Sequence, residues 1–278
     1  GRPAPSRRSR AVPAMRLTVV RAVGLVTVQD LGRPGHMHEG LAPGGALVPE
    51  LLAAANSRVR NPIGAAAVEV MGMLTVRAES AVLVSTDDGP ARTLSPGEEL
   101  TVASGRRSVA YLAVRGGVDA PVVLGSRSTQ LSAGIGALIR AGTSIDAAGA
   151  PEDAPDVEPF EESDIVRIVA GPDFEAFTPS ALPTLVSQPY QVSPQMSRVG
   201  TRLSGPSLER SRFDDRSRPM IVGALEVPPD GQPIVLGPEH PTTGGYPVIG
   251  VIVQADRGRF FATPIGGTVR FVVVSEGR

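Results

Sequence analysis

From residue 16 onward, short runs of β-branched and apolar residues alternate with glycine and proline. In the first half they fall at 16–21 (RLTVVR), 66–70 (AAVEV), 73–77 (MLTVR), 81–86 (AVLVST) and 108–114 (SVAYLAV). In the second half they fall at 165–170, 188–193, 199–204, 248–254 and 268–274. Runs this short, bounded by turn residues, predict the strands of a sandwich or barrel. One segment departs from the pattern. In 46–57 (ALVPELLAAANS), Leu47, Leu51, Leu52 and Ala55 recur at helical spacing, with Asn56 or Asn61 near the end, so a single helix is expected there, packed on the first barrel. Asp173–Phe177 fits one helical turn ahead of Pro179.

The organisation follows from where this pattern is interrupted. Residues 1–14 carry four arginines and three prolines without apolar periodicity, and they lack the apolar core of a signal peptide, so a disordered extension ending before Met15 is expected. Residues 147–162 (AAGAPEDAPDVEPFEE) hold three prolines and six acids without a base. Like charge and fixed proline φ disfavour a packed element, which makes 151–162 an acidic linker between an N-terminal β unit (15–150) and a C-terminal one (163–278).

Composition then narrows the chemistry. All 27 basic residues are arginine. A chain without lysine has no P-loop lysine, Schiff-base lysine or biotinylated lysine, so ATP or biotin chemistry would have to be supplied by another subunit. Cysteine is absent too, which removes thiol nucleophiles, disulfides and thiolate metal sites and makes a cytoplasmic location the default. A net charge of −1 gives no general hold on nucleic acid, and no apolar run reaches the roughly 20 residues of a membrane helix. With three histidines, His36, His38 and His240, no metal site is expected.

Two segments concentrate reactive side chains. Residues 24–45 (GLVTVQDLGRPGHMHEGLAPGG) bring Gln29, Asp30, Arg33, His36 and His38 together among glycines. A guanidinium there suits a carboxylate or phosphate, although an Asp–Arg pair bracing a turn is the plainer reading. Residues 228–247 (PPDGQPIVLGPEHPTTGGYP) place Thr242, Thr243 and Tyr246 around the Gly244–Gly245 step, whose amides could steady an oxyanion; a tight hairpin with a packed tyrosine is the alternative. No nucleophile elbow, serine–histidine–aspartate order or HExxH is present.

Taken in order, TVQDLGRPG, YLAVRGGVD with VLGSRST, VSPQMSRVGTRLSGP, VPPDGQP and TTGGYP resemble the family of the C-type subunit of 5-oxoprolinase, allophanate hydrolase subunit 2 and the Kip antagonist proteins, which is also similar to part of a biotin-dependent carboxyltransferase. The resemblance runs from about Met15 to the last strand. It implies a mostly-β chain of two cyclophilin-like β-barrel domains with few short helices. It also implies a B-type partner, similar to allophanate hydrolase subunit 1, and an A-type partner, in ATP-dependent opening of 5-oxoproline to glutamate. Alternatives it carries are a carboxyltransferase component for urea-type amides, served by biotin on a separate carrier, and a non-catalytic regulatory binding protein. On the matched positions, Asp30, Thr242, Thr243 and Tyr246 are the candidate catalytic residues. Gln29, Arg33, His36, Ser193, Arg198, Gln232, Gly244 and Gly245 are the candidate substrate contacts, with Arg33 on a substrate carboxylate. Two departures stand out: Pro241 replaces a frequent glutamine, and 40–48 (GLAPGGALV) lacks a serine and an aspartate of the family pattern.

Overall fold

A computed structural model describes residues 15–149, 155–211 and 217–275. The expected extension, 1–14, and the first part of the expected linker, 151–154, lie outside the described residues. The first unit contains β1 (Arg16–Gln29), β2 (Ala67–Ala78), β3 (Val82–Thr86), β4 (Arg92–Leu94), β5 (Glu99–Ala103), β6 (Ala110–Val114) and β7 (Ser144–Asp146). They form one seven-stranded sheet in the order β4-β3-β6-β2-β1-β7, with β5 on the other part of β2.

The long antiparallel pair β1–β2 is the spine of this sheet. The 66–70 and 73–77 runs are one strand here, because the break between them is bridged by a second glycine. Gly24 pairs with Gly72, and both have positive φ, 85° and 133°. A Cβ on Gly24 would lie 2.3 Å from the Met71 carbonyl oxygen, and one on Gly72 would lie 2.2 Å from that of Val23. Two glycines are what let the backbones cross this closely without ending the ladder.

The second unit contains β8 (Ile165–Ala170), β9 (Tyr190–Met196), β10 (Gly200–Ser204), β11 (Arg218–Pro219), β12 (Ala224–Glu226), β13 (Ile234–Leu236), β14 (Thr243–Gly244), β15 (Val248–Ile252) and β16 (Thr268–Val273). Seven of them close a barrel, β10-β13-β12-β15-β8-β16-β9, while β11 and β14 pair as a separate ribbon. The ring contains one parallel contact, β8 with β16. The chain is mostly β, as expected. The ring of hydrogen bonds closes in the second unit, and the first unit keeps an open path.

Three α-helices are present among the described residues, where the sequence pattern predicts one. α1 (Pro49–Arg58) begins on a proline at its first turn and buries Leu51, Leu52 and Ala55 against the sheet. Its end is tied by Asn56 Nδ2 to the Ala65 carbonyl (2.7 Å) and by Asn61 Nδ2 to Asn56 Oδ1 (2.9 Å). α2 (Ala181–Ser187) contains Pro183 near its start, and α3 (Gln254–Ala262) carries Gly258 in its interior. That glycine costs the helix about 1 kcal/mol relative to alanine. Burial of Phe260 and Phe261, each worth roughly 1.5–3 kcal/mol, outweighs it.

The two units share a core. One continuous cluster runs from Leu47, Leu51 and Leu52 of the first unit to Phe260, Phe261 and Phe271 of the second. Residues 155–162 have no regular structure and lie along the junction: Phe160 sits under the Arg107 guanidinium (5.3 Å), Glu162 pairs with Arg107 (2.7 Å), and Glu161 pairs with Arg259 (3.2 Å).

Candidate functional site

The 24–45 segment is an internally satisfied knot. Asp30 follows β1 and has both oxygens filled. Oδ1 accepts from the Gly32 amide (2.8 Å), Ser126 Oγ (2.6 Å) and Ser128 Oγ (2.5 Å), and Oδ2 accepts from the Arg127 amide (2.6 Å). Arg33 is 1% exposed. Its guanidinium donates to the carbonyls of Ser128 (2.5 Å) and Val123 (3.3 Å) and to Gln130 Oε1 (3.2 Å). Burial lowers its pKa, opposed by the charges of Asp30 and Glu239. Gln29, fully buried, donates to Thr27 Oγ1 and the Thr129 carbonyl, both at 3.0 Å, while its Oε1 has no partner among the described residues. Gln29, Asp30 and Arg33 therefore sew the 123–130 loop to the end of β1. The structure places Arg33 as a brace among neutral acceptors, not on an open face. His36 is outside the knot, with Nδ1 2.8 Å from Glu39 Oε2, and His38 is exposed. Among the described residues no three histidine, aspartate or glutamate side chains gather in a metal-binding group.

The 228–247 segment is built the other way. Thr243–Gly244 pairs with Arg218–Pro219, and Tyr246 is exposed, as is the Gly245 step before it. Pro241, which stands where the family often has a glutamine, precedes Thr242 and Thr243 at the start of the ribbon. Beneath the ribbon lies Glu226 of β12, 8% exposed, with its pKa raised by burial. A Cβ on Gly244 would lie 2.4 Å from Glu226 Oε1, so the glycine step leaves room for that carboxyl. His240 is 1% exposed; its Nδ1 donates to the Pro241 carbonyl (2.8 Å), and its Nε2 has no partner among the described residues. Burial lowers its pKa and favours the neutral ring. Gln232 clamps Gly205 through both its amide atoms, at 3.0 and 3.1 Å, and Ser193 Oγ accepts from the Gln195 amide at 3.1 Å.

Arg198 joins the two units. From the β9–β10 turn it donates Nη1 to Glu69 of β2 (2.5 Å), Nε to Glu239 (2.5 Å) and Nη2 to the Gly45 carbonyl (2.5 Å). Tyr111, fully buried, donates to Glu69 Oε2 (2.6 Å), which also accepts the Leu47 amide (2.8 Å). Burial opposes the charge on Arg198, yet Glu69 and Glu239 hold its pKa above the usual arginine value. A buried guanidinium between two carboxylates fixes register across the seam, since removing one partner strands the others. Glu69, Tyr111 and Glu239 are absent from the sequence-based list. The clue to Glu69 is a lone acid between Val68 and Val70 in an apolar run.

At this seam the two segments meet: the Gly44 amide donates to the Pro238 carbonyl (2.9 Å). Beside that bond is a pocket of about 260 Å³, with Leu31 and Gly44 on one side, Val222 and Pro238 on another, and Glu50 and Phe261 at the helices α1 and α3. It is not lined by Thr242–Tyr246, so the predicted residues divide between the knot, the ribbon and the seam instead of facing one cavity. Wider hollows of about 420 and 480 Å³ lie around Arg106 and Arg107, whose charges are already met by Glu162 and Asp87.

The model of the carboxyltransferase domain, subdomains A and B, matches residues 39–273. The chain is 33% identical to the C-type subunit of 5-oxoprolinase from Escherichia coli (strain K12), over 93% of this chain and 91% of that protein. It is 25% identical to the urea amidolyase of Lachancea kluyveri over 90% of this chain, which spans 16% of that protein. Among solved structures, TTHA0988 superposes with a TM-score of 0.81 at 26% identity, covering 98% of this chain and 59% of that one. The fold, the order of the motifs and these matches agree: the chain belongs to the carboxyltransferase domain family, subdomains A and B.

Proposed function

We propose that this chain is the component of a heteromeric, cytoplasmic 5-oxoprolinase that binds no ATP itself and works with partners of the A and B types to open 5-oxoproline to glutamate. The observation that carries the reading is the end-to-end match to a protein named as the C-type subunit of 5-oxoprolinase. Its chemistry agrees with the composition. A lactam carbonyl is a poor electrophile, and ATP-driven activation has to come from a partner with a nucleotide site, which a chain without lysine does not resemble. In this assembly the exposed Thr243, Gly245 and Tyr246 give a B-type partner a polar edge to dock on, while the knot around Asp30 and Arg33 keeps the adjoining loop rigid. Net hydrolysis adds one water across the C–N bond and frees the amine, with ATP hydrolysed to ADP and phosphate alongside.

The urea amidolyase match supports a second reading, a carboxyltransferase component using biotin on a separate carrier. Co-expression decides between them. The complex of all three chains should release glutamate from 5-oxoproline only with ATP. Full turnover by the A- and B-type partners alone would remove this chain from the reaction, and turnover of urea with a biotinylated carrier would transfer it to the second reading.

A further inference from the structure

We infer that the seam pocket receives the carboxylate of a small lactam or amide acid, and that Arg257 is the residue that binds it; the inference rests on the lactam-opening reading and names its substrate contact. Arg257 projects from α3 into the 260 Å³ pocket. It is half-buried, its Nε is fully enclosed without an acceptor, and it forms no hydrogen bond or ion pair with any described residue. Other enclosed arginines are provided for. Arg198 has two carboxylates, Arg33 has two carbonyls and an amide oxygen, and the next arginine on the same helix, Arg259, pairs with Asp256 (3.3 Å) and Glu161 (3.2 Å).

Enclosure without a partner weakens Arg257, and burial lowers its pKa. A guanidinium held this way costs stability and is answered by an anion that enters from solvent. The wall behind it is made to admit it: Gly223 has φ 86°, and a Cβ there would lie 3.2 Å from Arg257 Nε.

The pocket's size and lining define the guest. A volume of about 260 Å³ falls below the roughly 300–1,000 Å³ of sites for drug-sized ligands, so it suits a compact metabolite. Leu31, Val222, Pro238 and Phe261 offer apolar walls for a small ring. Glu50 lines the same pocket without pairing to Arg257; its carboxylate rests over Gly258, where a Cβ would lie 2.4 Å from Oε2. A carboxylate on Arg257 and an amide N–H offered to Glu50 describe a lactam acid. Urea has the N–H groups and no carboxylate, so this site separates the two enzymatic readings.

The test uses the complete complex with 5-oxoproline and with 2-pyrrolidinone, the same lactam without the carboxylate. Arg257→Gln should raise KM for 5-oxoproline about 10- to 100-fold with kcat changed less than about 3-fold, the span expected for one charge-assisted contact. Arg257→Lys should fall between, and 2-pyrrolidinone should not respond to either change. Because the native guanidinium is unpaired, Arg257→Gln should melt no lower than the wild type. An unchanged KM, an equal loss on both lactams, or a lower melting temperature overturns the assignment while leaving the lactam-opening reading intact. If the wild-type complex does not turn over 5-oxoproline, the lactam-opening reading falls. Calorimetric titration of the chain with 5-oxoproline then judges the pocket: binding lost in Arg257→Gln sustains it, and no binding ends it.

Discussion

The two segments richest in reactive side chains have opposite fates. Asp30 and Arg33 are enclosed and answered, by serines and carbonyls nearly a hundred residues away in the chain. Around Gly245 and Tyr246 the chain stands in solvent, and the carboxyl beneath the ribbon, Glu226, is enclosed with its pKa raised by burial alone. The difference separates two uses of the same residue types. Saturated polar groups hold a loop in place, whereas unsatisfied ones keep capacity for a ligand or a partner.

The sharpest way to break this comparison is Arg33→Ala. It strands the Val123 and Ser128 carbonyls and Gln130 in a dry site, and should cost about 2–4 kcal/mol in chemical denaturation. If stability is unchanged and only KM rises, the knot is a substrate site after all. Glu226→Gln should give a smaller effect with a distinctive pH signature. Burial raises the folded-state pKa of Glu226, so the native state holds its proton more tightly than the unfolded chain. Its contribution is present below the ordinary glutamate range and is lost as pH rises through the raised value. The Gln variant should therefore gain stability over wild type at neutral pH and match it near pH 4, as urea unfolding at both would show. Smallest of all, Tyr246→Phe should shift stability by no more than about 0.5 kcal/mol, since the phenol is exposed. A marked fall in turnover from that variant would then belong to function alone.

Much of the fold can be read from local pattern, because β-branched runs between glycines and prolines specify strands wherever they occur. The expected strands at 165–170 and 268–274 lie close to their observed bounds, and the helix expected over 46–57 is observed at Pro49–Arg58. The misses have tertiary causes. β12 and β13 have three residues each, too few to show an alternation, and α3 is helical despite Gly258 because two phenylalanines anchor it in the shared core. At the candidate site, residue types were legible and their partners were not. Whether Asp30 is a catalyst or a brace depends on Ser126 and Ser128, and nothing near residue 30 announces them. Arg257, one arginine among many, carries no spacing signal; its distinction is the lack of a neighbour, which only three dimensions reveal.

The core cluster that runs from α1 into the barrel makes the two halves depend on each other. Cutting between the halves would expose Leu51 and Phe261 together, so neither half has a dry interior of its own at that face. In the far longer urea amidolyase of Lachancea kluyveri the likeness spans 90% of this chain, both halves included, as expected of two units bound by one core.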